Sequence, residues 1–295
     1  MDIIECIPNF SEGRRRGVIA RLAGCAKSFP GVTLLDCSSD ESHNRCVITM
    51  LGEPDGIADA AFELAKLAME SIDLRLHTGE HPRMGAADVI PFVPVRGATL
   101  SDCVEVSKKV GARIGNELGI PVFLYEESCS AEHRRDLSSV RRGQFEGMPE
   151  KIKLPEWAPD FGPREVHPSA GAVAVGARAP LVAFNANLST SDITVADRIA
   201  KAIRGSSGGL KYCKAIGVML EGRNIAQVSM NLVNCDVTPI YRALELIRAE
   251  AARYGVYVTG TELVGLTPAK ALIDCAEYYL QMENFDYAKQ VLENH

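Results

Sequence analysis

Short apolar, β-branched runs alternate along this chain with stretches whose apolar residues recur every three to four positions. The first pattern predicts strands and the second predicts helices with one buried face. Residues 2–8 alternate loosely as far as Pro8 and read as a strand, and Asn9 to Gly13 then turn the chain. A helix is expected over 13–27. Val32 to Cys37 and Arg45 to Leu51 are strands around a polar turn, Ser38 to Asn44. Pro54 opens the next helix, because a helix's first turn tolerates proline. Ile57, Ala61, Leu64, Ala65 and Ala68 form its buried stripe. A polar stretch then separates this helix, which ends near Ile72, from a strand over Val89 to Val95. Thr99 or Ser101 caps a further helix with Val106, Val110, Ile114 and Leu118 inward, and Gly119 stops it. Ile120 to Tyr125 is a short strand, and the arginine-rich run 130–142 reads as a solvated helix.

Pro149, Pro155, Pro159, Pro163 and Pro168 crowd the next stretch, with the single tryptophan, Trp157, among them. A proline-rich passage of this length marks a linker or a wrapping arm. Trp157 and Phe161 favour an arm that packs on the protein. Beyond it, Ala172 to Val175 and Leu181 to Asn187 read as strands around a turn near Pro180. Asp192 caps a helix with Val195, Ile199 and Ala202 on one face. Lys214 to Leu220 and Ile225 to Leu232 pair as a hairpin. Thr238-Pro239 opens a helix with Ile240, Leu244, Ile247 and Ala251 inward, and Gly255 ends it. Val256 to Thr259 is a strand, and Thr267-Pro268 opens a last helix to about Leu280. The order β-α-β-β-α-β thus occurs twice. The fold class this predicts is α+β, with two tandem ferredoxin-like (split βαβ) subdomains over residues 1–178 and 179–295. Each is an antiparallel sheet with helices on one face, and a ligand cleft lies between the two.

Composition narrows the class of function. Apolar residues make up 46% and charged residues 24%, as in an ordinary soluble domain. Lys and Arg number 32 against 38 Asp and Glu, a formal charge of −6, which argues against nucleic acid as the main partner. No run reaches the ~18 apolar residues of a membrane span, and the N-terminus lacks the basic-then-apolar form of a signal peptide. The nine cysteines include no C-x-x-C pair and sit mostly inside strand and helix patterns, so a reducing cytoplasm is the expected setting.

The densest chemistry lies in the polar stretch before the strand at Val89. His77-Thr-Gly-Glu80-His81-Pro-Arg83-Met-Gly-Ala86 holds two of the six histidines, an acid and a guanidinium. Gly79 and Pro82 rule out a continuous helix, so this is an ordered loop of the kind that carries reactive groups over a rigid scaffold. The same breaks, and an order unlike His-Glu-x-x-His, disfavour a metal site. Two readings of the histidines stay open. One is a loop imidazole bonded to backbone. The other makes His81 a general acid/base oriented by Glu80 or a nearby carboxylate, with Arg83 binding an anionic group. The turn Ser38 to Arg45 is a second polar cluster, either plain turn residues or Asn44 and Arg45 directed at the same site. Gly205-Ser-Ser-Gly-Gly209 lacks a P-loop ending and reads as a connection.

At these residues the chain resembles the glutamate formimidoyltransferase (formiminotransferase) family. Cys6-Ile-Pro-Asn9-Phe-Ser-Glu-Gly13 is similar to that family's opening. Gly79-Glu-His81-Pro-Arg-Met-Gly-Ala86, followed by Asp88-Val89 and Pro91-Phe92, is similar to the segment holding its catalytic histidine. Pro121 to Tyr125, Trp157 to Pro163, Ala226 to Leu232 and Glu262 to Leu266 match in the expected order, over nearly the whole chain. The resemblance implies transfer of the formimidoyl group from N-formimidoyl-L-glutamate to N5 of tetrahydrofolate, releasing L-glutamate, in histidine degradation. It implies tetrahydrofolate as co-substrate, no metal, a cytoplasmic homodimer, and the absence of the cyclodeaminase domain found in bifunctional relatives. By carry-over His81 is the catalytic histidine. The stretch Gly162, Pro163, Arg164, Glu165, Val166, His167, Pro168, Ser169, Ala170 and Gly171 is the folate-binding segment, although Arg164, Glu165 and His167 are more polar than is usual there. Asn9, Asn44, Arg45, Glu80 and Arg83 are weaker substrate-binding candidates. Nothing in the residues separates this from formyl transfer between 5-formyltetrahydrofolate and glutamate, or from a non-catalytic folate-binding module.

Overall fold

The computed structural model describes residues 2–295. They fall into two compact units, one running to Arg178 and the other spanning Ala179–His295. The first unit begins β1 (Ile3–Cys6), β2 (Asn9–Phe10), α1 (Arg16–Lys27), β3 (Val32–Asp40), β4 (Arg45–Gly52), α2 (Pro54–Ser71) and β5 (Ala87–Arg96). It continues with α3 (Leu100–Leu118), β6 (Val122–Glu126), α4 (Leu137–Arg141), α5 (Gln144–Lys151) and β7 (Val173–Ala177). Strands β1 and β2 are one line of chain broken at Ile7-Pro8, and both pieces lie antiparallel between β4 and β5. The seven-stranded sheet therefore runs β3, β4, β1 with β2, β5, β7, β6. Its last two pairings are parallel.

Alternation along the central strands builds two cores. Ile90, Phe92, Val122, Leu124, Val173 and Val175 face one layer with α1, α2 and α3. Their neighbours Val89, Phe123, Tyr125, Ala172 and Ala174 face another, covered by Val140, Met148 and Trp157. Strands buried on both faces read as unbroken apolar runs, which is why no alternation was visible there. Thr99 is the residue that caps α3: its hydroxyl accepts from Asp102 N while the Asp102 carboxylate accepts from Thr99 N. Gly119 ends that helix at φ 64°.

Several expectations are corrected here. Asn9 and Phe10 stay in the sheet instead of turning. β3 continues to Asp40, so the hairpin turn is only residues 41–44, closed by Asn44 in a left-handed conformation at φ 49°. Residues 130–142 are not one solvated helix. They form a 3₁₀ turn (Glu132–Arg134) and short α4, and Arg134 is drawn inward. Its guanidinium bonds Asp160 at 2.9 Å and the carbonyls of Glu156 and Ala158 at 2.7 Å each, which anchors the proline-rich arm. Helix α5 was missed because Pro149 inside it reads as a breaker. β7 does not pair with the following strand. It inserts between β5 and β6 as an interior parallel strand of the first sheet.

The second unit runs β8 (Val182–Leu188), α6 (Ile193–Ile203), β9 (Cys213–Leu220), β10 (Ile225–Leu232), α7 (Ile240–Ala252), β11 (Val258–Val264), α8 (Ala269–Leu280) and α9 (Tyr287–Gln290). Its antiparallel sheet has the order β11, β8, β10, β9. Asp192 caps α6 through Thr194 N at 2.8 Å. Ile199, Ile203, Val228, Leu244 and Ile247 meet in a separate core. The last strand starts two residues later than its apolar run suggests.

Candidate active site

The loop joining α2 to β5 carries the polar cluster, and it is held at both ends and along its length. At its far end Met84 is buried, and its N–H donates to the Asp88 carboxylate at 2.7 Å. In the middle, Gly79 lies against the hairpin turn so closely that a Cβ would come within 2.4 Å of His43 O. The glycine is there for close approach, and the turn itself is held by Asn44. Asn44 Oδ1 accepts from Gly13 N at 2.8 Å and its Nδ2 donates to Thr78 O at 2.9 Å. One amide thus ties the β2–α1 loop, the hairpin and the polar loop together. Asn44 is a brace whose side-chain polar atoms are engaged.

His77 completes that brace. Its Nε2 donates to Asn44 O at 2.9 Å, since a carbonyl can only accept, and its Nδ1 accepts from Arg83 Nε at 3.2 Å. Both ring nitrogens are engaged, so His77 is a connector. Arg83 is itself buried and pairs with Glu146 at 2.6 and 2.8 Å and with Gln144 at 3.2 Å. Its fork is filled by α5, so it clamps the loop to that helix. Phe145 N donates to Arg83 O at 2.9 Å in the same contact.

His81 behaves differently. Its Nε2 is buried and has no hydrogen-bond partner among the described residues. Burial, then the charges of Arg45 and Arg141, and then His43 and His77, push its pKa down to about 3. Glu80 is exposed, and its N–H donates to Ser42 O at 3.3 Å, so the expected orienting acid is absent from the ring. A neutral imidazole with an unused buried nitrogen is a proton acceptor set in a positive field. The nearest ring is His43, at 6.4 Å between centroids.

The sequence reading missed Arg141. Placed at the end of α4, it meets Asp88 through Nη2 in a buried ion pair, and its Nε is buried without a partner. Arg45 lies beside it: burial, then the Arg141 charge, lower the Arg45 pKa, and Asp88 and Asp40 partly offset them. The only advance signal for Arg141 was an arginine-rich run, which is usually a solvated face.

The stretch 162–171 is joined to the His81 loop. Leu74 N donates to Ser169 O at 2.8 Å, Ala86 N to Ala170 O at 2.9 Å and Ala172 N to Met84 O at 2.9 Å. Gly171, at φ 73°, has no room for a Cβ, which would lie 2.2 Å from Met84 O. His167 Nδ1 accepts from Ala170 N at 3.0 Å, and burial lowers its pKa. Arg164 bonds the carbonyls of Ile152 and Lys153, at 3.2 and 2.8 Å, just past α5. Gly162, Pro163, Glu165 and Pro168 are exposed, Val166 is half-buried, and Asn9 donates locally to Ile7 O at 2.9 Å. A cavity of about 320 Å³ adjoins the brace, lined by Ser11, Glu12, Arg14, Asn44, His77 and Thr78. His81 does not line it. Its two acids are both taken up, Glu12 by Arg14 N, Arg15 N and the Arg15 guanidinium, and Asp73 by the Arg75 guanidinium.

The loop thus brings a neutral histidine together with guanidinium groups, and comparison with known proteins gives the family. Residues 3–178 match the model of the formiminotransferase domain, N-terminal subdomain, and residues 183–293 match that of the formiminotransferase domain. The chain is 63% identical over 293 residues to glutamate formimidoyltransferase of Streptococcus pyogenes serotype M1, covering 99% of this chain and 98% of that protein. It is 49% identical over 288 residues to glutamate formimidoyltransferase of Thermoplasma acidophilum, covering 97% and 95%. It is 44% identical over 288 residues to formimidoyltransferase-cyclodeaminase of Sus scrofa, covering 96% of this chain and 53% of that one. The chain belongs to the formiminotransferase family.

Proposed function

We propose that this protein is a glutamate formimidoyltransferase: it moves the formimidoyl group from N-formimidoyl-L-glutamate to N5 of tetrahydrofolate, giving 5-formimidoyltetrahydrofolate and L-glutamate, a step of histidine degradation. Full-length likeness to two proteins of that name supports the activity. The observation that carries the mechanism is the buried, unpartnered Nε2 of a neutral His81. N5 attacks the amidine carbon and forms a C–N bond, and the carbon becomes tetrahedral. His81 takes the proton that N5 loses and delivers it to the glutamate nitrogen as the old C–N bond breaks. A positioned imidazole doing both is worth ~10²–10⁴ in rate. Holding both substrates in one place adds to this.

We read residues 162–171 as the folate-binding segment, since its backbone is zipped to the His81 loop. Asn9, Asn44, Glu80 and Arg83 support the site by holding it, and Arg45 is the candidate that keeps a free cation. We also read each unit, 1–178 and 179–295, as a ferredoxin-like split βαβ subdomain. In both, the first strand of the repeat lies between the third and fourth, with the second outermost. The first unit adds β6 and β7 at one edge. A cytoplasmic homodimer without a metal is our reading of its state. The nine cysteines are all free, and among the described residues no helix is long and apolar enough to cross a membrane.

Purified protein assayed with N-formimidoyl-L-glutamate and tetrahydrofolate tests the activity. Release of glutamate with formation of 5-formimidoyltetrahydrofolate is expected. Turnover only with 5-formyltetrahydrofolate and glutamate would replace it with formyl transfer, and folate binding without either turnover would make the protein a binding module.

A further inference from the structure

Around His81 the structure sets two guanidinium groups whose charges act on the ring. Arg45 and Arg141 both act on the His81 ring and on each other, as do His43 and His77 on His81. The acids nearby are already committed. Asp88 is 1% exposed and holds Met84 N with one oxygen and Arg141 Nη2 with the other. Asp40 holds His43, through its N–H at 2.7 Å and its Nδ1 at 3.1 Å. Arg45 lies in the β3–β4 ladder through its backbone, and its side chain has no hydrogen bond or ion pair among the described residues. Two nitrogens in this group, Arg141 Nε and His81 Nε2, are buried without any partner. A buried donor such as Arg141 Nε and like charges left in this state are costly, and an anion of the right shape removes both costs. Guanidinium groups match the fork of a carboxylate.

We propose that Arg141, fixed by Asp88, and Arg45 form a carboxylate subsite beside His81 that takes the α-carboxylate of the amino-acid donor. This rests on the transfer reading above. The choice of carboxylate follows from connectivity. In N-formimidoyl-L-glutamate the α-carboxylate sits on the same carbon as the nitrogen that leaves, so anchoring it beside His81 brings that nitrogen to the imidazole. The carboxylates of the folate tail lie a whole p-aminobenzoyl group away from N5. They cannot reach a clamp next to His81 while N5 is at the reacting carbon. The γ-carboxylate is two methylenes further from the leaving nitrogen than the α-carboxylate.

The clamp also couples donor binding to base strength. With the subsite empty, two guanidinium charges hold the imidazole neutral. A bound carboxylate offsets them, so the imidazolium that forms when N5 gives up its proton is stabilised only when the donor is in place. Donor binding therefore raises the basicity of His81, and the groups that set it are Arg45 on β4, Arg141 on α4, His43 in the hairpin turn and His77 in the same loop.

The test uses the full chain, with L-glutamate and its α-amide, isoglutamine, as probes in calorimetry and in histidine NMR titrations. L-Glutamate is expected to raise the His81 pKa and to bind at least tenfold more tightly than isoglutamine. In kinetics, Arg141→Lys and Arg45→Lys are each expected to raise KM for the donor about tenfold or more, the ~1.4 kcal/mol that corresponds to a factor of ten. KM for tetrahydrofolate should stay within twofold. Equal binding of the two probes overturns the proposal, as does a change confined to the folate KM, which would assign the arginines to the folate tail. If Arg141→Lys does not fold, the two probes on the wild-type protein decide alone. The probe measurements need no turnover, so failure of the transfer reading in the activity assay is separate from failure of the clamp.

Discussion

His81 is the residue on which proton transfer depends, and its surroundings make two predictions. Replacing it with Gln keeps the size and removes the titrating group. Turnover is expected to fall by ~10²–10⁴-fold, while tetrahydrofolate still binds, as seen by fluorescence or calorimetry. A loss of less than tenfold would move the acid/base role elsewhere. The second prediction concerns acid stability. The folded pKa of about 3 lies below the ordinary value of 6.5. Between those two values the unfolded chain binds a proton that the folded chain does not. Stability is thus present in full above pH 6.5 and is lost as pH falls toward 3. Urea midpoints over that window should fall less steeply in His81→Gln than in wild type, and identical slopes would contradict the depressed pKa. His81 was legible in the sequence because Gly79 and Pro82 mark its loop. Arg141 was not, because its meaning depends on Asp88, which the fold brings to it from far along the chain. The partner of Arg83 was hidden for the same reason: Glu146 lies on α5, and the sequence pattern hid that helix behind Pro149.

At the scale of elements, the site depends on how closely the polar loop and the hairpin turn approach each other. Gly79→Ala places a Cβ 2.4 Å from His43 O and 2.8 Å from Asn44 Cβ, and neither the carbonyl nor the Cβ is the free end of a flexible side chain. The turn or the loop must shift. The expected cost is about 1–3 kcal/mol of stability, as for other overpacked sites, with at least a tenfold loss of turnover. Chemical denaturation and steady-state kinetics measure the two separately, and full activity in the variant would show that the brace is dispensable. The proline-rich arm depends on a second buried link. Arg134 and Asp160 are both nearly inaccessible, so Arg134→Ala leaves a buried carboxylate facing an apolar gap. Its expected cost is about 3–5 kcal/mol, read from the urea midpoint, and a cost under 1 kcal/mol would mean that Leu124 N, 2.8 Å away, suffices to hold Asp160. Most strands and helices were readable from periodicity, since one-sided burial leaves a period. β7 was read as a strand but not its place between β5 and β6, because a strand covered on both faces carries no sign of which neighbours it pairs with, and the α4–α5 layer was missed because short helices carry too few turns to show a period.

At the scale of the whole molecule, the duplicated strand order has a consequence for independence. Among the described residues each unit has a sheet of its own and closes a core of its own. The candidate residues, from Asn9 to Gly171, fall within the first unit, and so do Arg45, Arg141, His43 and His77, the groups that set the basicity of His81. The electrostatic state of the imidazole should therefore be a property of residues 1–178 alone. Expressed separately, that fragment is expected to unfold in one cooperative urea transition, and NMR titration should still find His81 well below the ordinary histidine value. A cooperative fragment in which His81 titrates near 6.5 would show that residues outside the first unit impose the depression. A fragment that binds hydrophobic dye and melts without cooperativity would show that the first unit's cores need the rest of the chain. Residues 179–295, with their own sheet and core, should unfold cooperatively as well. Turnover by the first fragment alone is the sharper outcome. If 1–178 transfers the formimidoyl group, all the groups needed for chemistry lie in it. If it keeps the depressed His81 yet transfers nothing, the second unit supplies a binding contribution, since the base itself would be intact.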